Sequence, residues 1–137
     1  MEKIEIKNQK SVLEVSGSYL SESRFIQACM ERLYFQDVTL AGSKITDANL
    51  SDLEIEGAQL GGAYIHNIGM PPPGHPMYNP AAKQRPLKFE NCDLSGSVIT
   101  GCNLTGLDIH QCTLSGMKID GILVEELIAC YNENKGG

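Results

Sequence analysis

No apolar run in this 137-residue chain approaches the roughly 20 residues that a helix needs to cross a bilayer. The N-terminus, Met1-Glu2-Lys3-Ile4-Glu5-Ile6-Lys7, alternates charge with isoleucine and lacks the hydrophobic stretch of a signal peptide. A cytoplasmic location is the expectation by default. Five cysteines, an odd number in an unexported chain, do not make a disulfide framework. There is no glycine-rich phosphate-binding motif and no His-Glu-x-x-His. His66, His75 and His110 stand on different segments, and no carboxylate pair is set apart by its spacing. The expectation is therefore a protein that is not an enzyme, with no catalytic residue, metal site or cofactor. Proline is missing outside residues 71–86, and no lysine or arginine lies between Lys44 and Lys83.

What the chain does have is a beat. Every fifth residue from Val15 to Ile65 is apolar: Val15, Leu20, Phe25, Met30, Phe35, Leu40, Ile45, Leu50, Ile55, Leu60 and Ile65. The beat resumes at Phe89, Leu94, Ile99, Leu104, Ile109, Leu114, Ile119 and Val124. A period of five is neither the 3.6 of a helix nor the 2 of a flat strand. A second beat two residues earlier favours small side chains, among them Ser18, Ser23, Ala28, Ser43, Ala48, Ala58, Ala63, Cys92, Ser97, Cys102 and Cys112. Self-similarity of this kind marks a solenoid.

Two inward positions in five fit a chain that turns a corner after every unit. Glycine recurs two places after the apolar centre, as at Gly42, Gly62 and Gly106, where a permissive backbone eases the corner. Four such corners close a square coil of about twenty residues, and coils would stack at a strand spacing of roughly 4.8 Å. Nineteen units then make about 4.75 coils and a rod of roughly 23 Å.

The units Ala48-Asn49-Leu50-Ser51-Asp52, Ala58-Gln59-Leu60-Gly61-Gly62, Cys92-Asp93-Leu94-Ser95-Gly96 and Cys102-Asn103-Leu104-Thr105-Gly106 resemble the pentapeptide-repeat family, with its Ala-Asp/Asn-Leu and two variable residues. The resemblance, to small bacterial members of that family, implies an all-β solenoid: a right-handed quadrilateral β-helix of roughly 4–5 coils. Residues 1–137 form one domain on this reading. Residues 1–12 are a lead-in or cap, 13–68 the first repeat block, 69–86 a Pro-rich loop, 87–124 the second block, and 125–137 a helix and tail. Residues 21–33 are the least regular; a short helix behind a serine cap is the alternative to the coil there.

Proline cannot donate to an axial hydrogen-bond ladder, so the Pro-rich segment must leave the coil. Ile65 to Phe89 is 24 residues, one short of five units, so the register slips. A loop of about eighteen residues with no structure of its own is uncommon in a compact domain and is often functional or disordered; whether this one is ordered is left open by the sequence. At the other end, Glu125-Glu126-Leu127-Ile128-Ala129-Cys130-Tyr131 reads as a short helix, acidic in its first turn. It caps the last coil; the alternative, which the resemblance implies, is a homodimer contact through this C-terminal segment.

Cys92, Cys102 and Cys112 occupy the small inward position and read as buried wall filler, not ligands. Cys29 points outward, and Cys130 lies in the terminal segment. Function is then left to surface. The candidate interaction residues are His75, Met77, Tyr78, Lys83 and Arg85 on the loop, with Glu14, Tyr34, Asp37, Glu54 and Glu56 on an acidic face. The expected role is a non-catalytic protein-binding or scaffold module for an unidentified protein, without direct nucleic-acid or membrane binding. The best-known members of the family mimic B-DNA and bind DNA gyrase, which gives the alternative. A 23 Å length of duplex would carry roughly fourteen negative charges, whereas this chain has a formal net charge of −6.

Overall fold

The computed structural model describes residues 2–136. The chain divides into two units, Met1–Ala63 and Tyr64–Gly137. Within Met1–Ala63 the five-residue beat is a backbone event. Gly17, Glu22, Gln27, Arg32, Asp37, Gly42, Asp47, Asp52, Gly57 and Gly62, each two places after an apolar centre, are left-handed, with φ between +51° and +78°. A left-handed residue reverses the twist of the chain locally and turns it through a corner. Residues 21–33 obey the same rule and form no helix.

The corners come in two kinds, so the true local period is ten. After Leu20, Leu40, Leu50 and Leu60 the corner is closed by a backbone hydrogen bond. The N–H of Ser23, Ser43, Leu53 and Ala63 donates to those carbonyls at 3.3, 3.0, 3.1 and 2.8 Å. With the third residue left-handed these are type II turns. After Val15, Phe25, Phe35, Ile45 and Ile55 the chain takes an open bend instead. Closed corners follow leucine; open ones follow valine, phenylalanine or isoleucine.

The unit Tyr64–Gly137 continues the pattern. Its left-handed residues on the beat are Asn67, Asn91, Gly96, Gly101, Gly106, Gln111, Gly116 and Gly121. Leu94, Leu104 and Leu114 head closed corners, with bonds of 3.1, 2.9 and 3.0 Å from Ser97, Leu107 and Met117. Then the rhythm ends in regular structure. β1 (Lys118–Ile119) and β2 (Ile122–Leu123) pair antiparallel, Lys118 opposite Leu123 and Ile119 opposite Ile122. Asp120 and Gly121 join them with φ of +48° and +81°, a type I′ turn whose twist suits a two-residue hairpin. Helix α1 (Val124–Gly136) follows, with Glu125 and Glu126 in its first turn. It starts one residue earlier than the sequence predicts, and Val124, the last apolar centre, opens the helix instead of closing a coil.

Two bonds fasten the helix to the last corner. The Val124 N–H donates to the Met117 carbonyl at 2.9 Å, and the Glu125 carboxylate accepts the Gly116 N–H at 2.8 Å. Val124 is the one buried apolar residue among those described. Leu114 is of intermediate exposure, and the other centres are about half-exposed; Leu50, for instance, is 48% exposed and Phe89 61%. Among the described residues the only strand pairing is β1 with β2, so the corners of a coil are present without an axial ladder between coils. A corner needs only four consecutive residues, whereas a ladder must join residues about twenty apart against the entropy of loop closure. Among the described residues no helix is long and apolar enough to cross a membrane.

Glu22, Gln27, Arg32 and Gln111 hold side chains in a conformation that disfavours them by roughly 1–2 kcal/mol each. Around each left-handed glycine a Cβ would meet nothing within 4 Å, so the difference is one of backbone alone. Gly62→Ala is expected to lower stability in urea unfolding by about 1 kcal/mol, and Arg32→Gly to raise it by a similar amount. A loss of stability on Arg32→Gly would contradict this account.

Candidate functional site

The Pro-rich segment, whose order the sequence left open, has turns of its own. It consists of three consecutive turns, each with proline as its second residue. His75 N–H donates to the Pro72 carbonyl at 3.1 Å, Tyr78 N–H to the His75 carbonyl at 2.9 Å, and Ala82 N–H to the Asn79 carbonyl at 3.1 Å. Pro73, Pro76 and Pro80 pre-set φ near −65°, which that position of a turn requires. Gly74, at φ +92°, supplies the left-handed third residue of the first turn. Side chains reinforce the second and third. His75 Nδ1 accepts the Met77 N–H at 3.0 Å, and Asn79 Oδ1 accepts the Ala81 N–H at 3.0 Å. Three of the six prolines thus shape the turns.

This places the five loop candidates. His75 is held twice by the backbone and once through its ring. Met77 is 74% and Tyr78 43% exposed at the two ends of one peptide, and Lys83 and Arg85 are exposed further on. Just before the loop, the rings of Tyr64 and His66 stack, with centroids 4.0 Å apart and planes 14° from parallel. Asn67 Nδ2 donates to His66 Nδ1 at 3.1 Å and holds that ring in place. Sequence reasoning missed this stacked pair, although the alternation Tyr64-Ile65-His66 puts both rings on one side of an extended segment.

The acidic-face candidates lie in the other unit. Glu14, Tyr34, Asp37, Glu54 and Glu56 are exposed, and among the described residues no hydrogen bond or ion pair joins any two of them. Asp37 is itself a left-handed corner residue. The structure therefore brings His75, Met77 and Tyr78 together in one turn, and no described bond joins the acidic candidates to one another.

The aspartate or asparagine before a leucine centre has a mechanical role. Asn49 Oδ1 accepts from Ser51, its N–H at 3.1 Å and its hydroxyl at 2.7 Å. Asp93 does the same for Ser95 at 3.0 and 2.5 Å, and Asn103 for Thr105 at 3.0 and 2.7 Å. Each is an Asx turn folded over a closed corner. The Ser95 hydroxyl, and then its backbone N–H, hold the Asp93 carboxyl below its ordinary range, because both bonds favour the charged form. Glu90 is lowered by the hydrogen bond and the charge of Lys88, 2.6 Å away.

The cysteine expectation is corrected. All five cysteines are exposed. The Sγ of Cys92, Cys102 and Cys112 donates to the carbonyl two residues back, at 3.3, 3.5 and 3.2 Å. Among the described residues no axial strand pairing runs past these thiols, and they stay open to solvent. Concave surface in this unit belongs to the repeat. A groove of about 460 Å³ runs between residues 94–99 and 115–118, and an apolar hollow of about 250 Å³ adjoins it, lined by Ile99, Leu104, Leu107, Ile109, Met117 and Ile119. The two sides of the groove are segments about twenty residues apart, the length of one four-cornered coil. Among the described residues no group of three or more histidines, cysteines or carboxylates is placed to hold a metal ion.

Residues 87–116 match the family described as Pentapeptide repeats (8 copies). No curated protein and no solved structure matches the chain.

The Asx turn at Asp93 has a sign in pH. Its native pKa is below the unfolded one, so its contribution is complete above the unfolded value and is lost as pH falls through the native value. The Ser95 amide shift is expected to titrate with a midpoint below the ordinary aspartate value of 3.8, and Asp93→Asn to abolish that titration while keeping the acceptor. A midpoint at or above the ordinary value would remove the turn's electrostatic role.

Proposed function

From the premise that this is a pentapeptide-repeat protein, we propose that it is a non-catalytic protein-binding or scaffold module. The repeat serves as the frame and the Pro-rich loop as the contact. One observation carries the reading: three tandem turns hold Met77 and Tyr78 outward on a pre-shaped backbone. A segment already folded loses less entropy on binding than a disordered one, and aromatic anchors contribute most at interfaces. In its closed form the frame is a right-handed quadrilateral β-helix of 4–5 coils. The left-handed corner every five residues and the twenty-residue offset across the groove both support that geometry.

An enzyme is the weaker reading because Lys118 is the one charged side chain lining these concave surfaces, beside the hydroxyls of Ser97 and Ser115, with no carboxylate, histidine or cysteine among the lining residues. The partner is a protein met in the cytoplasm, without direct contact to nucleic acid or membrane. Leu127, Ile128 and Tyr131 on helix α1 are exposed, a face that a second copy could cover. Capture of partners from cell extract by immobilised protein tests the loop. A variant carrying both Met77→Ser and Tyr78→Ala should bind roughly thirty-fold more weakly, the loss of about 2 kcal/mol typical of an interfacial anchor. Equal capture by both proteins ends the loop's role.

The second reading, a DNA mimic acting on gyrase or topoisomerase, rests on the stretch without basic residues between Lys44 and Lys83, which holds Asp47, Asp52, Glu54 and Glu56. Its charge density falls well below that of duplex DNA. No inhibition of gyrase supercoiling at micromolar protein and no rescue from a quinolone are expected; either effect would put this reading first.

A further inference from the structure

We infer that the Pro-rich segment is a fourteen-residue insertion into a single corner, and that the four-unit order of the repeat passes through it unbroken. The first mark is in the slot two places before each apolar centre. Leu13, Leu33 and Leu53 fill it at intervals of twenty, and so do Leu87 and Leu107. None of the other fifteen such slots between Ser18 and Ile122 holds leucine. One unit in four is thus labelled, once per coil of twenty residues, and the labelled centres are Val15, Phe35, Ile55, Phe89 and Ile109.

The last labelled unit before the loop has Ile55 as its centre. Three unlabelled units follow, centred on Leu60, Ile65 and Met70, so a labelled unit is due next. The first unit after the loop is the labelled one, Leu87 with Phe89. No unit has been lost or gained. Phe89 stands nineteen residues after Met70 where five are due, which leaves fourteen extra. The spacing of 24 from Ile65 to Phe89 is then two unit steps plus fourteen, and the apparent slip in register disappears.

The second mark is conformational and independent of leucine. Left-handed residues run on the beat up to Asn67 and again from Asn91. The slot after Asn67 falls on Pro72, and the slot before Asn91 on Pro86; these two prolines are fourteen residues apart. Proline is locked near φ −65° and cannot take the left-handed corner. Both copies of the corner slot are blocked, and the left-handed residue is displaced to Gly74, inside the insertion. The alternation of corner types agrees as well. Met30 is followed by a turn at residues 31–32, as the leucine centres are by theirs, so Met70 falls with the leucines by its side chain and Phe89 with the other class, as neighbours should. Insertions of nine or nineteen residues would break that alternation, and one of four would misplace the leucine label.

The loop is therefore a unit of display, separable from the frame that carries it. Removing residues 73–86 and changing Pro72→Gly leaves Met70, Pro71 and the substituted position running directly into Leu87. Pro71 and the introduced glycine then occupy the second and third places of a type II turn. The test compares this chain with two others carrying Pro72→Gly, one deleted by thirteen residues and one by fifteen, and with full-length Pro72→Gly. Thermal unfolding followed by circular dichroism is the readout, so it needs no partner and stands apart from the capture experiment. The fourteen-residue deletion should melt cooperatively near the full-length value, and the other two at least about 5 °C lower. If the three deletions melt alike, or if none of them folds, the insertion is not phase-preserving and the inference fails.

Discussion

A left-handed residue at every fifth position is the constraint on which the rest of this protein depends. It converts a run of extended residues into a run of corners, and it sets which side chains share a direction. The sequence supplies it at varying cost. Glycine fills the slot freely, while aspartate and asparagine tolerate it better than most other residues. Three successive corners, at Glu22, Gln27 and Arg32, hold it against preference. That stretch is also where the repeat is least recognisable from its letters. The same constraint explains the proline distribution. A residue fixed near −65° has no place in a corner slot, so proline appears only where the beat is suspended.

Around each corner a second layer of local bonding decides its type. A leucine centre heads a turn closed by its own carbonyl, and a preceding asparagine or aspartate can fold over that turn through a side-chain oxygen. The Asp/Asn of the repeat is thus a turn lock before it is a surface charge. This tempers any argument from net acidity: Asp93 spends its carboxylate on Ser95, and Glu90 is paired with Lys88. The most elaborated run of local turns is the array of proline turns between Pro72 and Ala82.

Much of the fold was legible because it is local. The period of five, the corner glycines and the acidic start of the C-terminal helix could all be read from consecutive residues. The ten-residue alternation was equally present, since leucine or methionine at Leu20, Met30, Leu40, Leu50 and Leu60 interleaves with valine, phenylalanine or isoleucine. All of these count as apolar, and what separates the two classes is the turn or open bend that follows each centre. The proline turns were legible too, from Pro-Gly at residues 73–74 and Asn-Pro at residues 79–80. Counting prolines as ladder breakers hid their positive role as turn formers.

By itself the sequence determined the corners, their spacing and the place where the beat stops, because each depends on the dihedral preferences of four or five neighbours. The tertiary structure alone decided how the last repeat ends. Asp120-Gly121 folds back into a hairpin, Val124 opens the helix, and Glu125 reaches nine residues back to the N–H of Gly116. It also decided that the cysteines are exposed. Contacts such as that of Glu125 with Gly116 are chosen among many by the entropy of closing the chain, and no window of neighbouring letters encodes that choice.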